Sequence, residues 1–242
     1  LDLASDAAGQ SADTVTINDG ALRATPLTSL TIETGIGQDQ FNINETDYQS
    51  STGANLLTLD GGPGTDRLNV TIDNLETVQL SDTSLTILLG GSSLGTVALL
   101  SFDGDQATLT DSSSTDNVVD LSGWLNGTAT VTGGGGTDTL TGPNETALWN
   151  VTGINFGLVN GNTFTGIENL IGGDSADQFV ISDGAGVAGS IDGGSGINNP
   201  ALSATVVDTL DFSNFQTART VEITNVDTIA TDIGFNLTAV FS

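Results

Sequence analysis

The sequence predicts an all-β chain wound as a parallel β-helix, or β-solenoid, of roughly ten coils, and three observations predict it. Apolar residues alternate with Thr and Asn over short runs, as in Phe41-Asn42-Ile43 and Leu68-Asn69-Val70-Thr71-Ile72, which is the period of a half-buried strand. Between such runs a turn cassette recurs, G-G-x-G-x-D-x-U-x with U a large apolar residue, and recurrence at this scale marks a repeat architecture. Helical signals are nearly lacking: there is no long helical periodicity and little clustering of Ala, Leu, Glu or Lys. Tandem β-sandwiches with Greek-key connections are the alternative that irregular repeat lengths keep open.

Taken in order, an eroded cassette begins at Ala8 and ends Asp13-Thr14-Val15, and a near copy begins at Thr34 and ends Asp39-Gln40-Phe41. Perfect copies begin at Gly61 (Gly61-Gly62-Pro63-Gly64-Thr65-Asp66-Arg67-Leu68) and Gly133 (Gly133-Gly134-Gly135-Gly136-Thr137-Asp138-Thr139-Leu140). Between them lie a weak copy at Gly90 without the aspartate and an eroded one at Ser112 ending Asp116-Asn117-Val118. A near copy at Gly172 ends Asp177-Gln178-Phe179, and another opens at Gly193. Successive starts are 21 to 29 residues apart, except for 39 between Gly133 and Gly172. That interval is expected to hide one unrecognised copy around Gly153 to Asn162. Phe41, Phe179, Leu68, Leu140 and Val15 share one cassette position and are expected to stack inside the core, and Trp124 and Trp149 to pack there too. Residues 197–207 read as a loop inserted into a coil, since a longer turn costs little entropy.

The chain reads as one domain over residues 1–242, with first residues like mid-domain sequence, and is expected to be a segment of a longer secreted chain. Its charge is lopsided: 30 acidic residues against three arginines, Arg23, Arg67 and Arg219, with no lysine or histidine and a net charge of −27. Nucleic acid is excluded as a partner, because phosphate binding needs basic residues to displace counterions. An anionic membrane surface is excluded likewise, and the longest apolar stretches are far too short to span a bilayer. Cysteine is lacking, so neither disulfides nor thiolate metal sites are available.

In the cassette, glycines supply backbone angles that other residues reach only with strain, and the aspartate can fix the bend by bonding local amides. The sharper reading is calcium. Stacked turns bring carbonyls of one coil and the aspartate of the next to about 4.8 Å of each other, and a hard cation takes about six to eight such oxygens. The cassettes resemble the glycine- and aspartate-rich calcium-binding repeats of the haemolysin-type (RTX) family. That resemblance carries the metal role onto Asp39, Asp66, Asp138 and Asp177 together with the turn glycines. The family repeats its nonapeptide in tandem, whereas here the copies lie 20 or more residues apart. The stretch Leu148-Trp149-Asn150-Val151-Thr152-Gly153-Ile154-Asn155, followed by Val159-Asn160-Gly161-Asn162-Thr163-Phe164-Thr165-Gly166-Ile167-Glu168-Asn169-Leu170, is similar to the β-strand repeats of giant, filamentous-haemagglutinin-like bacterial surface adhesins. That resemblance implies a secreted location at a cell surface or in a biofilm matrix.

The expected function is therefore that of an extracellular structural protein: a repeat segment of a surface adhesin, or the subunit of a head-to-tail filament. A calcium-binding adhesin module recognising a surface glycan is the alternative. A polysaccharide-degrading β-helix enzyme is more remote, because the usual bases and nucleophile activators, His and Lys, are missing. No catalytic residue is nominated. Self-association is expected through the terminal strands, since an uncapped solenoid exposes strand edges, and the end Phe235-Asn236-Leu237-Thr238-Ala239-Val240-Phe241-Ser242 alternates cleanly enough to pair with a neighbour.

Overall fold

The computed structural model describes residues 12–17, 30–44, 57–72, 76–89, 92–101, 105–194, 207–216, 222–226 and 235–238. Among these residues the regular structure is all β, with no helix. The first five strands set the pattern: β1 (Thr14–Ile17), β2 (Leu30–Glu33), β3 (Gln40–Asn44), β4 (Leu57–Asp60) and β5 (Arg67–Ile72). β3 pairs in parallel with β1 and with β5, while β2 pairs in parallel with β4. The chain thus passes back and forth between two sheets, laying each strand beside the one from its previous passage. Repetition sets the register, because like residues meet: Phe41 stands between Val15 and Leu68, and Asn42 between Thr16 and Asn69. The sheets reach ten and eleven strands. Parallel pairing of this kind is foreign to antiparallel Greek-key sandwiches.

Two antiparallel meanders interrupt the alternation. β6 (Glu76–Ser81), β7 (Ser84–Leu89) and β8 (Ser92–Leu100) lie side by side in the eleven-stranded sheet. The last of them, β8, continues from β4. Alternation resumes with β9 (Gln106–Asp111), β10 (Val118–Gly123), β11 (Thr128–Thr132) and β12 (Thr139–Thr141). β9 joins β5 to β11 and β10 joins β6 to β12, all in parallel. The second meander, β13 (Leu148–Gly153), β14 (Phe156–Val159) and β15 (Asn162–Thr165), adds two extra strands to the ten-stranded sheet. It balances the two that the first meander added to the other sheet.

This second meander fills the 39-residue interval, so residues 153–162 are hairpin and not the further cassette expected there. Asn160 and Gly161 both take positive φ (46° and 88°), as a two-residue Asn-Gly hairpin turn requires. Gly90 and Gly91, which open the weak copy, lie outside the described residues.

β16 (Asn169–Ile171), β17 (Gln178–Ile181), β18 (Ser190–Asp192) and β19 (Thr209–Asp211) return to strict alternation. The proposed insertion at 197–207 falls outside the described residues except for Val207. β20 (Glu222–Val226) and β21 (Phe235–Thr238) close the chain, with β21 antiparallel between β18 and β20. The terminal alternating segment is therefore paired within its own chain over Phe235–Thr238.

Inward residues of both sheets form one apolar core. Phe41, Leu68, Leu140, Phe179 and Val15 are all buried, as expected, although Leu140 belongs to the eleven-stranded sheet and the others to the ten-stranded one. Trp124 and Trp149 are buried too. Trp149 stacks on Phe179 (centroids 5.2 Å apart, planes 16° apart) and tilts against Phe164 at 5.9 Å. That aromatic cluster packs β15, β13 and β17 where the meander rejoins the repeat.

Candidate functional site

Asp39, Asp66, Asp138 and Asp177 each stand where the turn gives way to the next strand, and their carboxylates reach back to an earlier passage of the chain. Asp39 Oδ1 accepts the backbone N–H of Asp13 at 2.8 Å, Asp66 Oδ1 accepts that of Asp39 at 2.8 Å, and Asp105 Oδ1 accepts that of Asp66 at 2.9 Å. The parallel ladder runs beside them, with Arg67 N–H donating to Asp39 O at 2.8 Å and Gln106 N–H to Asp66 O at 2.9 Å. One column of carboxylates therefore ties together four successive passages of the chain. Asp39 and Asp66 are neighbours in it.

Asp138 and Asp177 lie in two other columns. Asp138 Oδ1 accepts the N–H of Asn117 at 2.7 Å, and Glu168 Oε2 accepts that of Asp138 at 2.9 Å. Asp177 Oδ1 accepts the N–H of Ala147 at 2.9 Å, and Asp208 Oδ1 that of Asp177 at 2.9 Å. Asn162 Oδ1 does the same for Ala129 at 2.7 Å. Aspartate, glutamate and asparagine all serve, so the position requires an oxygen aimed at a buried amide, not a charge.

Sequence reasoning missed Asp105, Asp208 and Glu168 in this role. Asp105-Gln106-Ala107 repeats the pattern of Asp39-Gln40-Phe41, and Asp208-Thr209-Leu210 repeats Asp138-Thr139-Leu140. Those triplets were a usable signal without the glycines.

The paired glycines divide their labour. At the first of each pair a Cβ would run into the carboxylate of the next cassette aspartate: at Gly61, Gly133 and Gly172 that of Asp66, Asp138 and Asp177, five residues on, and at Gly193 that of Asp208, beyond the longer turn. The second glycine supplies the left-handed backbone, with φ of 72° at Gly62 and 84° at Gly194. The motif is thus a packing unit, a bare Cα beneath a carboxylate followed by a left-handed turn.

The other carboxylate oxygen has a different environment. Oδ2 of Asp39, Asp66, Asp138 and Asp177 is buried and receives no hydrogen bond. Burial pushes the carboxyl of Asp66 up to about 7, aided by the nearby charges of Asp105, Asp39 and Asp60 and opposed by the bond from Asp39 N–H. Burial likewise raises Asp138 to about 6 and Asp177 to about 7. A buried carboxylate oxygen without a donor favours a proton or a cation.

Calcium fits these oxygens in chemistry, and turn carbonyls stack alongside: a Cβ on Gly62 or Gly64 would strike the carbonyls of Gly35 and Gly37 one repeat away. Among the described residues no three acidic side chains converge on one point, so a calcium ion here would draw most of its ligands from backbone carbonyls. Comparison of the chain with protein-family models, curated proteins and solved structures finds no match.

Proposed function

We propose that the chain is a two-sheeted β-solenoid serving as an extracellular structural protein, either a repeat segment of a surface adhesin or the subunit of a head-to-tail filament. One observation carries this reading: outside the two meanders and the antiparallel β20–β21 end, successive passages of the chain add strands in parallel register to one sheet and then to the other. Such a stack grows along one axis and leaves unpaired strand edges only at its ends. Among the described residues those edge strands are β1 and β2 at one end and β19 and β20 at the other. A heterologous contact between the ends propagates without closing, and a net charge of −27 opposes lateral clumping of the rods. A structural role also accounts for the cassette carboxylates, whose Oδ1 atoms are engaged by backbone amides and not poised as an acid and base pair.

Calcium belongs to the same proposal. Bound at Oδ2 of Asp39, Asp66, Asp138 or Asp177, it would neutralise a buried charge and clamp successive turns. The assembly test is electron microscopy of the purified chain beside the Thr16→Pro variant. Gln40 donates to Asp13 O, so in the alternating pattern of a parallel strand the amide of Thr16 faces the free edge. Proline there keeps the β1–β3 ladder and blocks edge pairing. Fibres from the parent and single rods from the variant support the filament. Single rods from both support the adhesin segment, and compact particles contradict the solenoid.

A further inference from the structure

The outer face of the ten-stranded sheet is chemically set apart. Across β3, β5, β9, β11 and β15 every outward position carries an amide or a hydroxyl, apart from Arg67, and none carries a carboxylate. The outward positions of the other sheet include Glu33, Asp60, Asp120 and Asp192. In a chain with 30 acidic residues, the described outward positions of these five strands are free of carboxylates, and the same face carries one only further along, at Asp211 in β19.

That face is also sculpted. Along its first column, register places Gln40, Arg67, Gln106 and Thr128 side by side, and the next place falls at the Asn160-Gly161 turn. Side chains shorten abruptly from Arg and Gln to Thr and Gly. The result is a hollow of about 490 Å³ with a floor of Thr108, Thr128, Thr130 and Thr163 and a wall of Arg67 and Gln106. A smaller hollow of about 190 Å³ adjoins it on the other side of the same pair, lined by Gln38, Gln40, Thr65 and the buried Asp39. Arg67 Nη2 donates to Gln106 Oε1 at 2.6 Å, which holds the guanidinium between the hollows. That bond uses one of its five N–H donors.

We propose that this face binds an acidic polysaccharide, laid across β5, β9 and β11 with a uronate carboxylate on Arg67 and sugar hydroxyls on the threonine floor. A planar guanidinium matches a carboxylate with two parallel hydrogen bonds. Threonine and glutamine both donate and accept, as sugar hydroxyls do. Hollows on both sides of Arg67 suit a polymer that continues past it. A peptide would want apolar or aromatic anchor pockets, and a nucleic acid would want many cations. The acidic outward positions of the other sheet lie on the far side of the apolar core.

The inference rests on the extracellular reading above but not on end-to-end assembly, which microscopy reports separately. Isothermal titration calorimetry of the full chain, in chelator and physiological salt, uses oligogalacturonate as the probe and a cello-oligosaccharide of equal length as the neutral control. Oligogalacturonate should bind at least about tenfold more tightly than the neutral sugar. Arg67→Gln should lose about tenfold or more of that affinity, Thr130→Val a smaller but measurable part, and Asp120→Asn on the opposite sheet none. Thermal melting checks each fold, and Thr130→Val, nearly isosteric, carries the test should Arg67→Gln melt early. No heat with oligogalacturonate, equal binding of the neutral sugar, or affinity indifferent to both trough variants would overturn the proposal. Fibres that form normally while oligogalacturonate fails to bind would sink this inference alone.

Discussion

Replacing Asp66 in two ways separates the work of its two oxygens. In Asp66→Ala the buried N–H of Asp39 loses its acceptor at 2.8 Å, and an orphaned buried amide costs about 1–3 kcal/mol. Asp66→Asn keeps an acceptor oxygen at that place and cannot ionise, as Asn162, which accepts the N–H of Ala129, already illustrates. The two variants therefore diverge with pH. The wild-type carboxyl releases its proton near pH 7 when folded, against its ordinary value of 3.8, so the folded state holds the extra proton between those limits. Stability from this group is fully present below about pH 4 and is lost as pH rises through about 7. Three pH units would amount to about 4 kcal/mol for a wholly shielded group, and screening by water and salt beside a turn reduces that to about 2 kcal/mol. Urea unfolding in chelator at pH 4.5 and pH 8 is the assay. Asp66→Ala should be the less stable variant at both pH values. Asp66→Asn should gain about 2 kcal/mol on the wild type between them. Equal losses for the two variants, or no pH-dependent gain for Asn, would refute the assignment of an acceptor role to Oδ1 and a charge penalty to Oδ2.

Other expectations follow from the same geometry. Calcium and a proton compete for the same oxygens, so millimolar calcium should raise the melting temperature more at pH 8 than at pH 5; a shift that is nil at both would remove calcium from the account. Gly172→Ala drives a Cβ into Gly193 O and the Asp177 carboxylate and should cost several kcal/mol in urea unfolding, on the scale of overpacking. Gly184→Ala, left-handed at φ 79° but with open space around it, should cost only about 1 kcal/mol. Trp149→Ala, which empties the stack between Phe164 and Phe179, should lose about 3–5 kcal/mol, and a loss below 1 kcal/mol would show the cluster to be dispensable.

Strand identity was legible wherever alternation was clean: Leu68-Asn69-Val70-Thr71-Ile72 lies inside β5, and its inward and outward residues fall as its pattern demands. The inward stacking of Phe41 and Phe179 was legible for the same reason. The meanders were not, because spacing alone cannot tell a strand that pairs with the previous repeat from one that folds back on its neighbour. Asn160-Gly161 was the local clue, a hairpin turn between alternating runs. The aspartate columns were hidden more deeply, since each carboxylate serves an amide 26, 27 or 39 residues away, beyond any local pattern. Asp105 shows how far the role reaches: it joins the first column without belonging to any recognised cassette. The first glycine of each pair was credited with backbone freedom, whereas its surroundings require it for lack of a Cβ. Over Phe235–Thr238 the terminal segment is a strand, as read, but its partners there, β18 and β20, belong to its own chain.

Diffraction from aligned fibres of the purified chain tests the central claim most directly. If molecules stack end to end along the direction in which their own strands pair, the spacing between strands continues from one molecule to the next. The account predicts a meridional reflection at about 4.8 Å, which Thr16→Pro should abolish along with the fibres. Fibres with that reflection on the equator, or with none, would mean that the molecules associate side by side, and would contradict a stack whose ends are its contacts.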